Sequence, residues 1–267
     1  MTAQEFRNAG EELNRLLLLR HSPIALKLIY SEDEIPEGSL RPAQSCGHLA
    51  MCQAFAKVRR DKKAITMLKE DHWCVWPLVG FRLVDMDEES TRKMGGFLFF
   101  DNKEEGIEFL RNEYPRVAGP TPIGFTLAPL ENADFEPDIV SIYCDPAQLR
   151  HLLLATRKLL GQQLEVHFDS VDSCVHSTVP VLNGQRFNIT VPDPGEYERA
   201  MAEENEMIFT MRAEEMPRLL EEMNFFCSKR IGYRDLVIQM EADHGRPPFY
   251  REMFEKWGLP TGKLWDK

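Results

Sequence analysis

The sequence predicts an α+β protein: a mixed β-sheet with helices packed against it, plus a helical C-terminal extension. Three observations carry this prediction. Segments with apolar residues at helical spacing recur along the chain, and short apolar runs are interspersed with them. Those runs are apolar on consecutive positions, the pattern of strands buried on both faces. Strand and helix signals follow one another without regular βαβ alternation, which favours α+β over a doubly wound sheet. The chain has 267 residues, 43% of them hydrophobic, enough for a sizeable core.

The elements follow in order. Gln4 to Arg20 is an amphipathic helix with Phe6, Ala9, Leu13, Leu16 and Leu17 on one face, stopped by Ser22-Pro23. Ile24 to Tyr30 reads as a strand and Pro36 to Ser45 as a loop. A helix is predicted from Gly47 to Arg60, with Cys46 and His48 at its start. Ala64 to Leu68 reads as a strand and His72 to Pro77 as an aromatic-rich turn. Gly96 to Phe100 is predicted as an apolar strand, followed by a helix capped by Asn102. Ile123 to Leu130 and Asp138 to Tyr143 are two further strands. Asp145-Pro146, a cap followed by proline at the first helical position, opens a helix that Gly161 ends. Leu164 to Phe168, Phe187 to Val191 and Met207 to Met211 read as strands, the last leading into a helix from Glu214 to Met223. The segment around Cys174 reads as a loop.

Residues 1–227 are expected to form one α+β domain. Residues 228–267 form an aromatic-rich extension with too few aliphatic residues for its own core. Tyr250, Phe254 and Trp257 fall at i, i+4 and i+7, so the extension is expected to pack on the domain or on a second subunit of a homodimer.

Charge and motif content narrow the function. Thirty-two Lys and Arg against 43 Asp and Glu give a formal charge of −11, which disfavours nucleic acid. The small basic run from Lys57 to Lys63 reads as a solvated helix end. No apolar run approaches the ~20 residues of a membrane span. Glu5, Glu11 and Glu12 argue against a secretory signal, so a cytoplasmic, reducing setting with free thiols is expected. Gly-rich phosphate loops, HExxH and GxSxG are absent.

The cysteine neighbourhoods carry the chemistry. Cys46-Gly-His48, His72-Trp-Cys74 and Cys174-Val-His176 each put a Cys and a His two residues apart, and Cys52 lies near a helix start. Thiolate and imidazole are the ligands that soft and borderline metals select. A helix N-terminus favours the thiolate form. These residues are candidates to converge on one metal or cluster. Cys144 and Cys227 read as core fillers. Arg41, Arg82 and Arg199 are candidate anion anchors, because Arg pairs bidentately with carboxylates.

The run ENADFEPDIVSIYCDPAQLRHLLLA resembles the hallmark segment of the domain-of-unknown-function family 169, found in archaea and anaerobic bacteria. CQA at Cys52 to Ala54, Cys74 about twenty residues on, and DSCVHSTVPVLNGQ resemble that family in the same order. The resemblance covers roughly Arg20 to Met223 and singles out Cys52, Cys74 and Cys174. Many members have one more Cys in a turn after the strand written FNITV here. This chain has Pro192-Asp193-Pro194-Gly195 there, so a fourth position would be open or filled by Cys46, His48 or Asp193.

The leading expectation is an iron–sulfur protein, with Cys52, Cys74 and Cys174 holding a four-iron four-sulfur (4Fe–4S) cluster. It would serve anaerobic small-molecule metabolism, as a redox or desulfuration enzyme (an oxidoreductase or lyase) with an open cluster site. Its partners would be a small-molecule substrate or a partner redox protein. The alternative is a non-catalytic accessory module with a structural metal such as zinc that docks a partner enzyme. A third reading is a thiol enzyme, with Cys52 or Cys174 as nucleophile and His48 or His176 as base.

Overall fold

Six short strands, buried along nearly their whole length, build the centre of the protein. The computed structural model describes residues 1–236, 240, 245 and 247–259. The strands are β1 (Ile24–Ile29), β2 (Ile65–Leu68), β3 (Gly124–Pro129), β4 (Ile139–Cys144), β5 (Phe187–Thr190) and β6 (Met207–Arg212). They form one sheet in the order β2-β3-β1-β4-β6-β5, and every pair is antiparallel. Among the described residues, parallel pairing is confined to isolated bridges, Leu40 with Ile65 and Leu49 with His72.

Helices cover both faces of the sheet, which is why the strands are apolar on consecutive positions. They are α1 (Ala3–Leu17), α2 (Pro42–Ser45), α3 (Met51–Asp61), α4 (Val75–Gly80), α5 (Glu88–Gly95), α6 (Lys103–Asn112), α7 (Pro146–Leu160), α8 (Ser173–Leu182), α9 (Pro194–Arg199) and α10 (Met216–Ser228). On one face Leu13, Leu152 and Leu219, from α1, α7 and α10, pack with Val140, Phe187 and Phe209. On the other, Phe55, Val79 and Val175, from α3, α4 and α8, pack with Leu26, Phe125 and Ile208. Helix ends follow their sequence signals. Thr2 and Glu5 form a capping box on α1, Asn102 caps α6, and Asp145 with Gln148 caps α7, which Gly161 ends in the left-handed region.

Four local readings are corrected. Gly96 to Phe100 is not a strand: it is the turn between α5 and α6, with Phe97 and Phe99 exposed. That turn is tight because Gly95 and Gly106 let α5 and α6 touch; a Cβ on Gly95 would lie 2.6 Å from Ile107 Cα. Leu164 to Phe168 is not a strand either. It runs beside the β5 edge but is held by side chains: the His167 amide donates to Asn188 Oδ1 at 2.8 Å and Gln185 donates to Glu165 O at 2.9 Å. The basic run is not wholly solvated, since Arg59 is buried, grips Glu206 at 2.5 and 2.9 Å and lies over the Tyr143 ring.

The fourth correction concerns Cys174, whose segment is the buried helix α8 and not a loop. Its many polar residues obscured the helix, yet their hydroxyls are satisfied locally: Ser173 Oγ donates to Glu196 at 2.6 Å, and Ser177 and Thr178 donate to Cys174 O. Pro180 sits inside α8 and lacks the N–H that would bond His176 O. The Asn188 side chain supplies that donor instead, at 2.7 Å.

The chain divides into two units, 1–233 and 234–267. Arg150 ties the end of the first unit to α7 by donating to Ile231 O and Gly232 O. In the second unit, helix α11 (Pro248–Lys256) carries Tyr250 and Phe254, with Trp257 just beyond it. Val237, Ile238, Leu264 and Trp265 lie outside the described residues. No helix among the described residues is long and apolar enough to cross a membrane.

Candidate functional site

Cys52 occupies the first turn of α3, and Cys74 the position just before α4. The segments ahead of these helices are bonded to each other: the Leu49 amide donates to Asp71 O at 3.0 Å and the Trp73 amide to Leu49 O at 2.9 Å. That bridge sets the two helix starts side by side. Cys174 occupies the first turn of α8. Asp193 aligns this third helix with α9. Its Oδ2 accepts from the Ser173 amide at 2.8 Å and hydroxyl at 3.0 Å, and its Oδ1 accepts from the Glu196 amide at 2.9 Å. One carboxylate therefore caps both α8 and α9.

Cys52, Cys74, Cys174 and Asp193 all line one cavity of about 500 Å³. Trp73, Trp76, Phe97 and Phe99 form much of its apolar wall. Cys46 and His48 are exposed, lie between α2 and α3, and are not among the lining residues. His72 is buried edge-on against Phe125, and burial pulls it down to about 4, so it is neutral. His176 packs against Phe109 and Tyr114. Two positions apart on a helix, Cys174 and His176 point to different faces. Cys144 and Cys227 stand apart from the cavity and pack against the other face of the sheet.

The electrostatics of the site oppose its own thiols. Helix starts favour thiolates, yet burial dominates. It pushes Cys52 up to about 12, with Glu196 and Asp193 adding to the rise. Burial also raises Cys74 and, most strongly, Cys174, which further feels Cys52 and Asp193. Two acids that sequence reasoning missed belong here. Asp172 lines the cavity in the left-handed region at φ 52°, accepts from Tyr114 Oη at 3.3 Å, and is pushed up to about 8, first by burial and then by Asp193. Glu196, fully buried, is pushed up to about 7 by burial and accepts from Ser173 Oγ at 2.6 Å and Tyr143 Oη at 2.8 Å. Nothing in the spacing of DSC flagged Asp172; its backbone conformation, tolerated by Asp, is the signal.

His21, Glu203 and Glu206 form a set of ligand-type atoms mutually within 4.8 Å among the described residues. Glu206 is chelated by Arg59, and Glu203 pairs with Arg20 and Arg60, so this is an ion-pair network. The three cavity thiols do not form such a tight set. A single tetrahedral zinc needs sulfurs about 3.8 Å apart, given Zn–S bonds of about 2.3 Å.

Fold and site define an α+β protein with a cysteine-lined cavity among the helix starts that cover one face of its sheet. The chain belongs to the DUF169 family, described as uncharacterised ArCR, whose model matches residues 12–222. It is similar to an uncharacterised protein of Methanocaldococcus jannaschii, 22% identical over 233 residues, which cover 85% of this chain and 97% of that protein. No solved structure matches.

Proposed function

We propose that this protein binds an iron–sulfur cluster through Cys52, Cys74 and Cys174 and uses it in redox or desulfuration chemistry on a small molecule. One observation carries the reading. Thiols separated by more than a hundred residues reach one cavity, each at or beside a helix start, among buried carboxyl groups. Protons held on those thiols would leave when a cation binds, as in metal sites generally. Among the candidate fourth ligands, Asp193 lines the cavity, although its oxygens already cap α8 and α9. A cluster with one iron not held by cysteine supplies an electron-transfer and Lewis-acid centre. Around it the chain's own residues have distinct tasks. Asp172 holds a proton on a carboxyl facing the cavity, and Phe97, Phe99 and Trp73 give it an apolar wall. A cytoplasmic, reducing setting, anaerobic metabolism and self-association through the aromatic extension belong to the same proposal; all six cysteines are free.

The test is anaerobic purification with iron and sulfide analysis. Iron and acid-labile sulfide in roughly equal amounts, with a broad absorption band near ~400 nm, is the expected result. Cys52→Ser, Cys74→Ser and Cys174→Ser should each lower the iron content, and Cys144→Ser should not. A colourless protein after anaerobic reconstitution overturns the reading. Stoichiometric zinc instead would favour a structural module that docks a partner enzyme.

A further inference from the structure

Arg199 is the one cationic side chain among the described residues lining the cavity. Its guanidinium lies over Trp73, 5.2 Å from the ring centroid, and Nε donates to Gly195 O at 3.3 Å. Its ion pair is with Glu198, at 3.5 Å, a carboxylate that is itself mostly exposed. Such a pair is weak and readily exchanged. The two other candidate anion anchors are committed elsewhere. Arg41 grips Asp71 at 2.7 Å and Glu70 at 2.5 Å, and Arg82 donates to the carbonyls of Val117 and Gly119.

Position 195 is part of the same arrangement. A Cβ there would overlap Arg199 Nη2, so glycine lets the guanidinium lie against the backbone of α9 beside the cavity. The aromatic wall near it is unusually open: Trp73 is 61% exposed, Phe97 74% and Phe99 86%. Large exposed rings around a concave site mark a place for an apolar ligand body. A guanidinium stacked on an aromatic ring keeps its in-plane donors available for a planar anion.

We infer that the cavity binds a planar organic monocarboxylate, its carboxylate on Arg199 and its flat apolar body against Trp73, Phe97 and Phe99. Asp193 and Glu198 also line the cavity, and their carboxylates penalise a second negative charge on the ligand. That selects a carboxylate over a phosphate. The inference rests on the cavity being the functional site, as proposed above, and not on the presence of metal.

Isothermal titration of the full chain, metal-free, with benzoate, benzamide and inorganic phosphate tests it. Benzoate should bind, with benzamide at least ~10-fold weaker, as the loss of one charge-assisted bidentate contact implies. Phosphate should not displace benzoate. Arg199→Gln should weaken benzoate by a similar factor and Arg199→Lys by less. Gly195→Ala should also weaken it, through displacement of the guanidinium with the charge retained. This variant covers the case in which Arg199→Gln fails to fold, which circular dichroism reads directly. Equal binding of benzamide and benzoate, unchanged affinity in folded Arg199→Gln or in Gly195→Ala, competition by phosphate, or no benzoate binding at millimolar concentration each overturns the inference. Iron and sulfide content is measured on separate anaerobic preparations, so either proposal can fail alone.

Discussion

The His21 imidazole is held below its ordinary value in the folded protein because burial, and then Arg60 and Arg59, disfavour its charged form. In the unfolded chain the same imidazole takes a proton near pH 6.5. Folding therefore becomes less favourable as pH falls below that value, and this loss is absent above it. His21→Gln removes the titration. The difference in unfolding free energy between the variant and the parent should move in the variant's favour between pH 7 and pH 5, by denaturant titration at each pH. A constant difference would show that folding does not lower the His21 value. At this scale most single roles were hidden in the sequence. Arg59 looked like one charge of a surface run until its burial and its pairing with Glu206, 147 positions away, were seen.

Helix starts are the elements that organise the site, and Asp193 joins two of them. Replacing it with Ala removes both caps and leaves the Ser173 and Glu196 amides without their acceptor. Each cap is worth about 1 kcal/mol, so Asp193→Ala should cost about 2 kcal/mol or more in urea unfolding of the metal-free protein. Asp193→Asn keeps one acceptor oxygen and should cost about half as much. Equal costs would mean that a single cap carries the effect. Capping signals of this kind were legible where donor and acceptor are neighbours in sequence, as at Asn102 and Asp145. The cap on α8 was not legible, because its acceptor comes from twenty residues further along the chain. The same holds for Pro180, tolerated in α8 through Asn188 on β5.

Across the whole molecule, Arg59 and Glu206 link α3 to the approach to β6 through a doubly bonded, buried ion pair. Removing one partner leaves the other charge buried and unpaired. Arg59→Ala or Glu206→Ala should therefore cost about 3–5 kcal/mol. The double change Arg59→Met with Glu206→Leu should cost far less than the sum of the single changes. Equilibrium unfolding of the three variants reads this directly. Additive costs would show that the two charges act independently.

By itself the sequence determined the α+β class, most of the helices and strands, and the family. These follow from local periodicity, caps and proline placement, which act within a few residues and need no knowledge of the rest of the chain. It also picked out Cys52, Cys74 and Cys174, through their chemistry and a family resemblance. Only the tertiary structure decided that these thiols line one cavity, that Asp172 and Glu196 are buried acids beside it, and that Arg199, of three candidate arginines, lies there. It also turned one apolar run into an exposed aromatic wall and one polar run into a buried helix. Burial and long-range pairing set these outcomes: whether Phe97 is core or surface, or whether a polar helix is satisfied, depends on partners that local sequence does not specify.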